Sequence, residues 1–208
     1  MKINLTTAAG LLGLLALPAT AQDVTFEAGD ASDTLRGELR SASLVLSIKD
    51  DETTQAQDLV AAARADYRRI LTALYAAGYY SGEITIRVNG REAAEIPPLN
   101  APQTVNSIAI TVSSGPKFTF GGTTISPIPQ TADLPESFVT GSGASTDIIR
   151  SAVSTVVTAW QDAGYAKAAP SGQSIVARHR AEMLDVNVTI APGPQLTFGP
   201  LNVTGNTD

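Results

Sequence analysis

The sequence predicts an α+β fold assembled from two successive units, each with the element order strand, helix, helix, strand, strand. Three observations carry this. The stretch GPKFTFGG at residues 115–122 returns, little changed, as GPQLTFGP at residues 193–200, 78 positions later. A helical pattern ends in Ala77-Gly78-Tyr79 and again in Ala163-Gly164-Tyr165, 86 positions later. The strand before each Gly-Pro reads AITVSSGP at 109–116 and NVTIAPGP at 187–194. Recurrence of whole sets of landmarks marks a repeated module rather than one large domain. The two offsets differ by eight, which a longer loop between the second and third strands of the first unit would supply.

Residues 1–22, MKINLTTAAGLLGLLALPATAQ, read as a targeting segment. Lys2 gives a short positive start, residues 8–17 an apolar core, and Ala19-Thr20-Ala21 the small side chains that a signal peptidase accepts. Cleavage is expected before Gln22, leaving 1–21 as the signal peptide. A buried N-terminal helix is the competing reading. The segment is too short to span a bilayer, and no later run approaches the roughly eighteen apolar residues a spanning helix needs.

In the first unit, VTFEAG at 24–29 alternates as a short strand with Val24 and Phe26 on one face. Ser32 stands at an N-cap position. Leu35, Leu39, Ala42 and Leu46 follow at helical spacing, predicting one helix over 33–48. The polar KDDETT breaks it, with Thr53 or Thr54 as the next cap. A second helix is expected over about 55–77, its stripe formed by Leu59, Ala63, Tyr67, Ile70 and Leu74 and its end set by Gly78. Ile84, Ile86 and Val88 alternate with Thr85 and Arg87 as a half-buried strand. Asn89-Gly90 invites a hairpin, but REAAEIPPLNAPQ does not read as its partner and is expected to be a loop. Residues 108–112, IAITV, form the closing strand.

The second unit begins with FTFGGTTISP, a strand whose Gly121-Gly122 predicts a bulge or a close backbone approach. A loop with one helical turn at 136–139 stands where the first helix should be. Ser145 or Thr146 caps a long helix marked by Ile149, Val153, Val156 and Trp160 and ended by Gly164. Residues 174–178 and 184–190 are the closing strands. The joints lie at Gly115, Pro116 and Phe120 and at Gly193, Pro194 and Phe198. Each proline ends a ladder by removing a donor, and each phenylalanine seeds the next core. The units are therefore 22–116 and 117–194, and LTFGPLNVTGN within 195–208 reads as the opening strand of a third.

Composition excludes several functions. Fourteen Lys and Arg against 20 Asp and Glu give a charge of −6, or −7 once Lys2 is removed. That acidic balance provides no footprint for nucleic acid and no attraction to an anionic membrane. Cysteine is absent, so export to an oxidising compartment is not matched by disulfide stapling. An Ala-rich chain with this leader reads as bacterial and periplasm-facing. No phosphate-cradling glycine loop is present. The single His179 lies between Arg178 and Arg180 and fits a solvated face better than a catalytic base. Asp50, Asp51 and Glu52 fit a polar helix break better than a cation site. Trp160, Tyr79 and Tyr165 read as packing residues. No enzyme, cofactor or metal is expected.

The β-α-α-β-β order, the Ala-Gly-Tyr after the second helix and the Gly-Pro link resemble the POTRA (polypeptide-transport-associated) domains. Within that superfamily, AARADYRRILTALYAAGYYSGEITIRVNGREAAEIPPLNAP at 62–102 is most similar to the TamA group of autotransporter assembly factors. The resemblance implies tandem modules, each a three-stranded mixed sheet with two helices packed on one face, standing in the periplasm ahead of an outer-membrane β-barrel. It implies that the chain is the N-terminal part of a longer protein, reaching the membrane only through that barrel. It further implies unfolded outer-membrane or autotransporter clients, a TamB-type partner anchored in the inner membrane, and binding by addition of a strand to the second strand of a module. Carried onto this chain, those edges are Ile84, Thr85, Ile86, Arg87 and Val88, and Ser174, Ile175, Val176, Ala177 and Arg178. The competing readings are edges blunted by Arg87 or Arg178 and a stand-alone periplasmic scaffold that uses the module without a barrel.

Overall fold

The computed structural model describes residues 23–197 together with Gly199 and Gly205. The targeting segment, Phe198 and most of the expected third opening strand lie outside the described residues. The elements fall into two sheets with two separate apolar cores, one drawn from residues between Ala28 and Val112 and the other from Phe118 to Ile190.

The first unit opens with β1 (Asp23–Glu27) and α1 (Asp33–Ala42). Ser32 caps α1, accepting the Leu35 N–H at 3.3 Å, and Leu35 and Leu39 are buried. The single helix expected over 33–48 is interrupted at Ser43, which adopts an extended backbone before a short α2 (Leu44–Ile48). The cause lies 23 residues away. Asp66 of α3 (Ala56–Ala77) is completely buried and accepts from Ser43 Oγ at 2.5 Å, Leu44 N–H at 2.6 Å and Val45 N–H at 3.2 Å. One helical turn further on, Arg69 donates from Nε to the Ala42 carbonyl at 2.7 Å. A carboxylate on the starting amides of α2 and a guanidinium on the last carbonyl of α1 satisfy groups that a helix end otherwise leaves unpaired.

Neither Thr53 nor Thr54 caps α3. Thr53 is bonded into a turn with Asp51, Thr54 Oγ1 donates to the Ile48 carbonyl, and Gln55 takes the cap position, its N–H donating to Asp58 Oδ2 at 3.0 Å. The expected stripe of Leu59, Ala63, Ile70 and Leu74 is buried, joined by Val60 and Ala62. Gly78 ends the helix with φ +91°, and the Tyr79 N–H reaches back to the Leu74 carbonyl at 2.8 Å.

The first sheet has the order β1-β4-β2-β3, with β2 at Glu83–Val88, β3 at Arg91–Glu92 and β4 at Ser107–Ser113. β1 runs parallel to β4 and β2 antiparallel to it. Ile86, Val88, Ile108, Ile110 and Val112 bury one face against the helices. The hairpin rejected from sequence does form. Asn89 and Gly90 both take positive φ, 50° and 79°, as a two-residue primed turn requires. Arg91 and Glu92 then pair with Val88 and Arg87. The sheet therefore has four strands where three were expected.

The second sheet has the order β5-β7-β6, with β5 at Thr119–Ser126, β6 at Ala169–Arg178 and β7 at Met183–Ala191. A register shift between Phe120 and Gly122 is the expected bulge. Its purpose is space: a Cβ on Gly121 would stand 2.3 Å from the Arg178 guanidinium and 2.4 Å from the Asp185 carboxylate. One helix, α4 (Thr146–Asp162), covers the sheet, capped by Ser145 and burying Ile149, Ala152, Val156 and Ala159. No helical turn forms at 136–139. Phe138 closes a simple turn there by donating to the Pro135 carbonyl and packs edge-to-face on Phe120 at 5.5 Å. The mixed α+β architecture holds in both units, but the second has one helix in place of two.

Candidate functional site: the β6 edge and the joint between the units

β6 is the last strand of its sheet and antiparallel to β7, so alternate backbone N–H and C=O groups point away from any partner strand. It runs ten residues, five more than expected, and its side chains are exposed except for a half-buried Ala177. Ile175 and Val176 are 41% and 51% exposed. Ser174, Ile175, Val176, Ala177 and Arg178 all lie on this strand. Arg178 does not cover the edge. It turns across the sheet to Asp185 on β7, with Nε and Oδ2 at 2.7 Å.

The corresponding strand of the first unit differs. Arg87 and Val88 are covered by β3, so the edge expected there is closed at these two residues. At Ile86 the backbone N–H donates to Glu92 Oε1 at 3.3 Å, and the Tyr67 hydroxyl donates to the same carboxylate. Burial, followed by this hydrogen bond and the negative charge of Glu92, pushes the Tyr67 hydroxyl up to about 12 from an ordinary 10.0. Of the first candidate edge, Ile84 and Thr85 alone carry neither a β3 partner nor this side-chain cover.

The C-terminal end of β6 meets the joint between the units. Gly115 takes φ +66° and Gly193 φ +74°, each before its proline, Pro116 and Pro194. The Phe118 N–H then donates to the Gly78 carbonyl at 2.9 Å, and the Leu196 N–H donates to the Gly164 carbonyl at 2.8 Å. The two sequence repeats are thus two halves of one device. The glycine that ends a long helix turns its carbonyl to receive the chain leaving the unit. Gly78 also admits the second unit closely, since a Cβ there would stand 2.5 Å from the Ala144 carbonyl oxygen. Phe120 is completely buried in the second core, as is Phe118.

Side chains fasten the same joint. Asp30 accepts from Ser113 Oγ at 3.0 Å, Ser114 N–H at 2.9 Å and Gly115 N–H at 3.3 Å. Slight burial opposes its ionisation, but the Ser114 amide, the Ser113 hydroxyl and the Gly115 amide outweigh it and hold the carboxyl below 3.8. His179 Nδ1 lies 2.9 Å from Ser81 Oγ, and its ring meets Phe118 edge-to-face at 5.7 Å. Phe118 in turn meets Tyr80 at 5.5 Å, and Tyr80 stacks on Tyr75 at 5.0 Å. The Tyr80 hydroxyl is buried beside Thr146 without a well-formed hydrogen bond, and burial raises its pKa. His179 is exposed to solvent, as expected, and also bridges the two units. Sequence spacing offers no signal for it, because its partners come from 98 and 61 residues earlier.

Among the described residues no three His, Asp or Glu side chains gather as a metal site, and no helix is long and apolar enough to cross a membrane. No family model and no curated protein matches the sequence. Among solved structures, POTRA domains 3–5 of BamA from Haemophilus influenzae are similar with a TM-score of 0.51 at 15% identity, over 89% of this chain and 71% of that one. The chain has the POTRA fold. The first two POTRA domains of Omp85 from Anabaena give a TM-score of 0.42 at 13% identity, over 84% of this chain and 95% of that one. The N-terminal domain of Omp85 from Thermosynechococcus elongatus gives 0.43 at 15% identity, over 82% and 61%. Within the POTRA fold, this chain has a β2 edge partly covered by β3, an open β6 edge and a His179 bridge at the end of β6.

Proposed function

We propose that the chain is the periplasmic POTRA arm of an outer-membrane β-barrel assembly or translocation factor of the TamA-like kind. It acts without catalysis, holding unfolded outer-membrane or autotransporter clients, or a TamB-type partner, by strand addition. The signal peptide at 1–21, the unit boundaries and a following third module and barrel belong to the same reading. The observation that carries it is the ten-residue β6, whose outer edge has no partner strand among the described residues and which carries exposed Ile175 and Val176. Backbone pairing along such an edge recognises extended chains with little regard to sequence, which suits a factor that handles many clients.

Proline substitution tests this. Adjacent N–H groups on a strand point to opposite sides, so of Ile175→Pro and Val176→Pro one removes an outward donor and the other a bond to β7. The variant that keeps its circular dichroism and thermal transition is the informative one. It should lose capture of an outer-membrane barrel chain diluted from urea, whereas proline at Gln130, in the loop after β5 at the far edge of the sheet, should not matter. Undiminished capture by the folded edge variant contradicts the proposal.

A further inference from the structure

The strand edge does not stand alone. At its C-terminal end a groove of about 380 Å³ opens between the units, walled by Tyr75 and Tyr80 from the first and by Ile149, Ile175, Ala177 and His179 from the second. Ile175 and Ala177 are two apart on β6 and so share the face that looks into the groove. Ala177 is small and half-buried, which leaves room above β6 at that position. The walls carry the stacked Tyr75–Tyr80 pair and the His179 ring, and none of the described residues fills the space.

We propose that this groove is a side-chain subsite for an aromatic residue of the segment that adds to β6, with an acidic residue beside it. The inference rests on the strand-addition reading and specifies what the added strand must contain. A strand paired to β6 places every second side chain on the groove face. Directly opposite and diagonal positions lie within about 5–8 Å, in reach of a ring but not of a methyl group. Aromatic walls favour an aromatic guest through edge-to-face and offset contacts. Charge selects its neighbour. Arg178 is neutralised by Asp185, whereas Arg180 is exposed and has no ion-pair partner among the described residues. In a chain of net charge −6 this leaves a cation directly after His179 of the groove wall in sequence.

The test uses fluorescein-labelled ten-residue peptides of alternating Thr and Val on the full chain, read by anisotropy. The central residue is Phe or Ala, and its neighbour is Asp or Lys. The Phe peptide should bind about three- to tenfold tighter than the Ala peptide, and Asp beside it should bind tighter than Lys. Ala177→Leu, which fills the groove with a side chain suited to the strand, should erase the Phe advantage, so that Phe and Ala peptides bind alike. Arg180→Glu should reverse the Asp preference without touching the groove. Equal binding of Phe and Ala peptides, with both abolished by the folded edge-proline variant, overturns the subsite but leaves strand addition standing. No binding of any peptide overturns both.

Discussion

His179, one residue beyond β6, shares a hydrogen bond with Ser81 of the first unit at 2.9 Å. The same ring lies edge-to-face on Phe118. The residue that ends the exposed edge is thus one of those that tie the two units together, so the direction of the edge is coupled to the joint. His179→Ala removes one exposed hydrogen bond and one ring contact, a loss of about 1–2 kcal/mol between the units. Each core should keep its own unfolding transition. Spin labels on α3 and α4 should report a broader distance distribution in the variant than in the parent, and an unchanged distribution would show that the Gly78–Phe118 link suffices.

Asp66 is the residue on which the corner between α1 and α2 depends. Its carboxylate answers two backbone amides and a hydroxyl in a fully buried position. Asp66→Ala should cost about 3–5 kcal/mol, since it strips several bonds at once and leaves buried donors unsatisfied. Asp66→Asn, which keeps an acceptor oxygen, should cost less. Urea unfolding with the slope unchanged measures both.

Tyr67 supplies a pH test of the closed β2 edge. Its folded pKa, about 12, stands above the ordinary 10.0, so the protonated hydroxyl stabilises the fold fully below pH 10. That contribution is lost as pH rises through 12. Absorbance at 295 nm should show Tyr67 ionising with a midpoint near 12, and Tyr67→Phe should lower the late-titrating absorbance by one tyrosine's worth. A Tyr67 midpoint near 10 would mean that the hydroxyl is neither buried nor held against Glu92 in solution.

Much of this architecture was legible in the sequence, for a physical reason. Ile84, Ile86 and Val88 alternate because one face of β2 is buried. Ser32 and Ser145 cap because local hydroxyls satisfy local amides. Gly78 and Gly164 recur because both helices end with a carbonyl turned to the chain that leaves the unit. What was hidden depended on distant partners. Nothing near Ser43 announces a helix break, since the acceptor that causes it is Asp66. The first half of β6, Ala169 to Gln173, has no alternation to read, because an edge strand with both faces exposed is under no pressure to alternate. Its Pro170 and Gly172 flank a register shift and further disguise it. The hairpin at Asn89-Gly90 was masked by a partner strand only two residues long. The His179 bridge and the groove beside it are products of packing between units, for which spacing along one unit carries no information.

The central claim is that β6 receives an extended chain as a neighbouring strand. The chain contains no cysteine, so Val176→Cys introduces a single thiol on that strand, at a side chain half exposed to solvent. Mixed with an unfolded outer-membrane barrel chain carrying single cysteines at successive positions, it should form disulfides at every second client position, because strand side chains alternate between faces. Disulfides with no two-residue period, or equal yields from Ser154→Cys on the outer side of α4, would contradict the account.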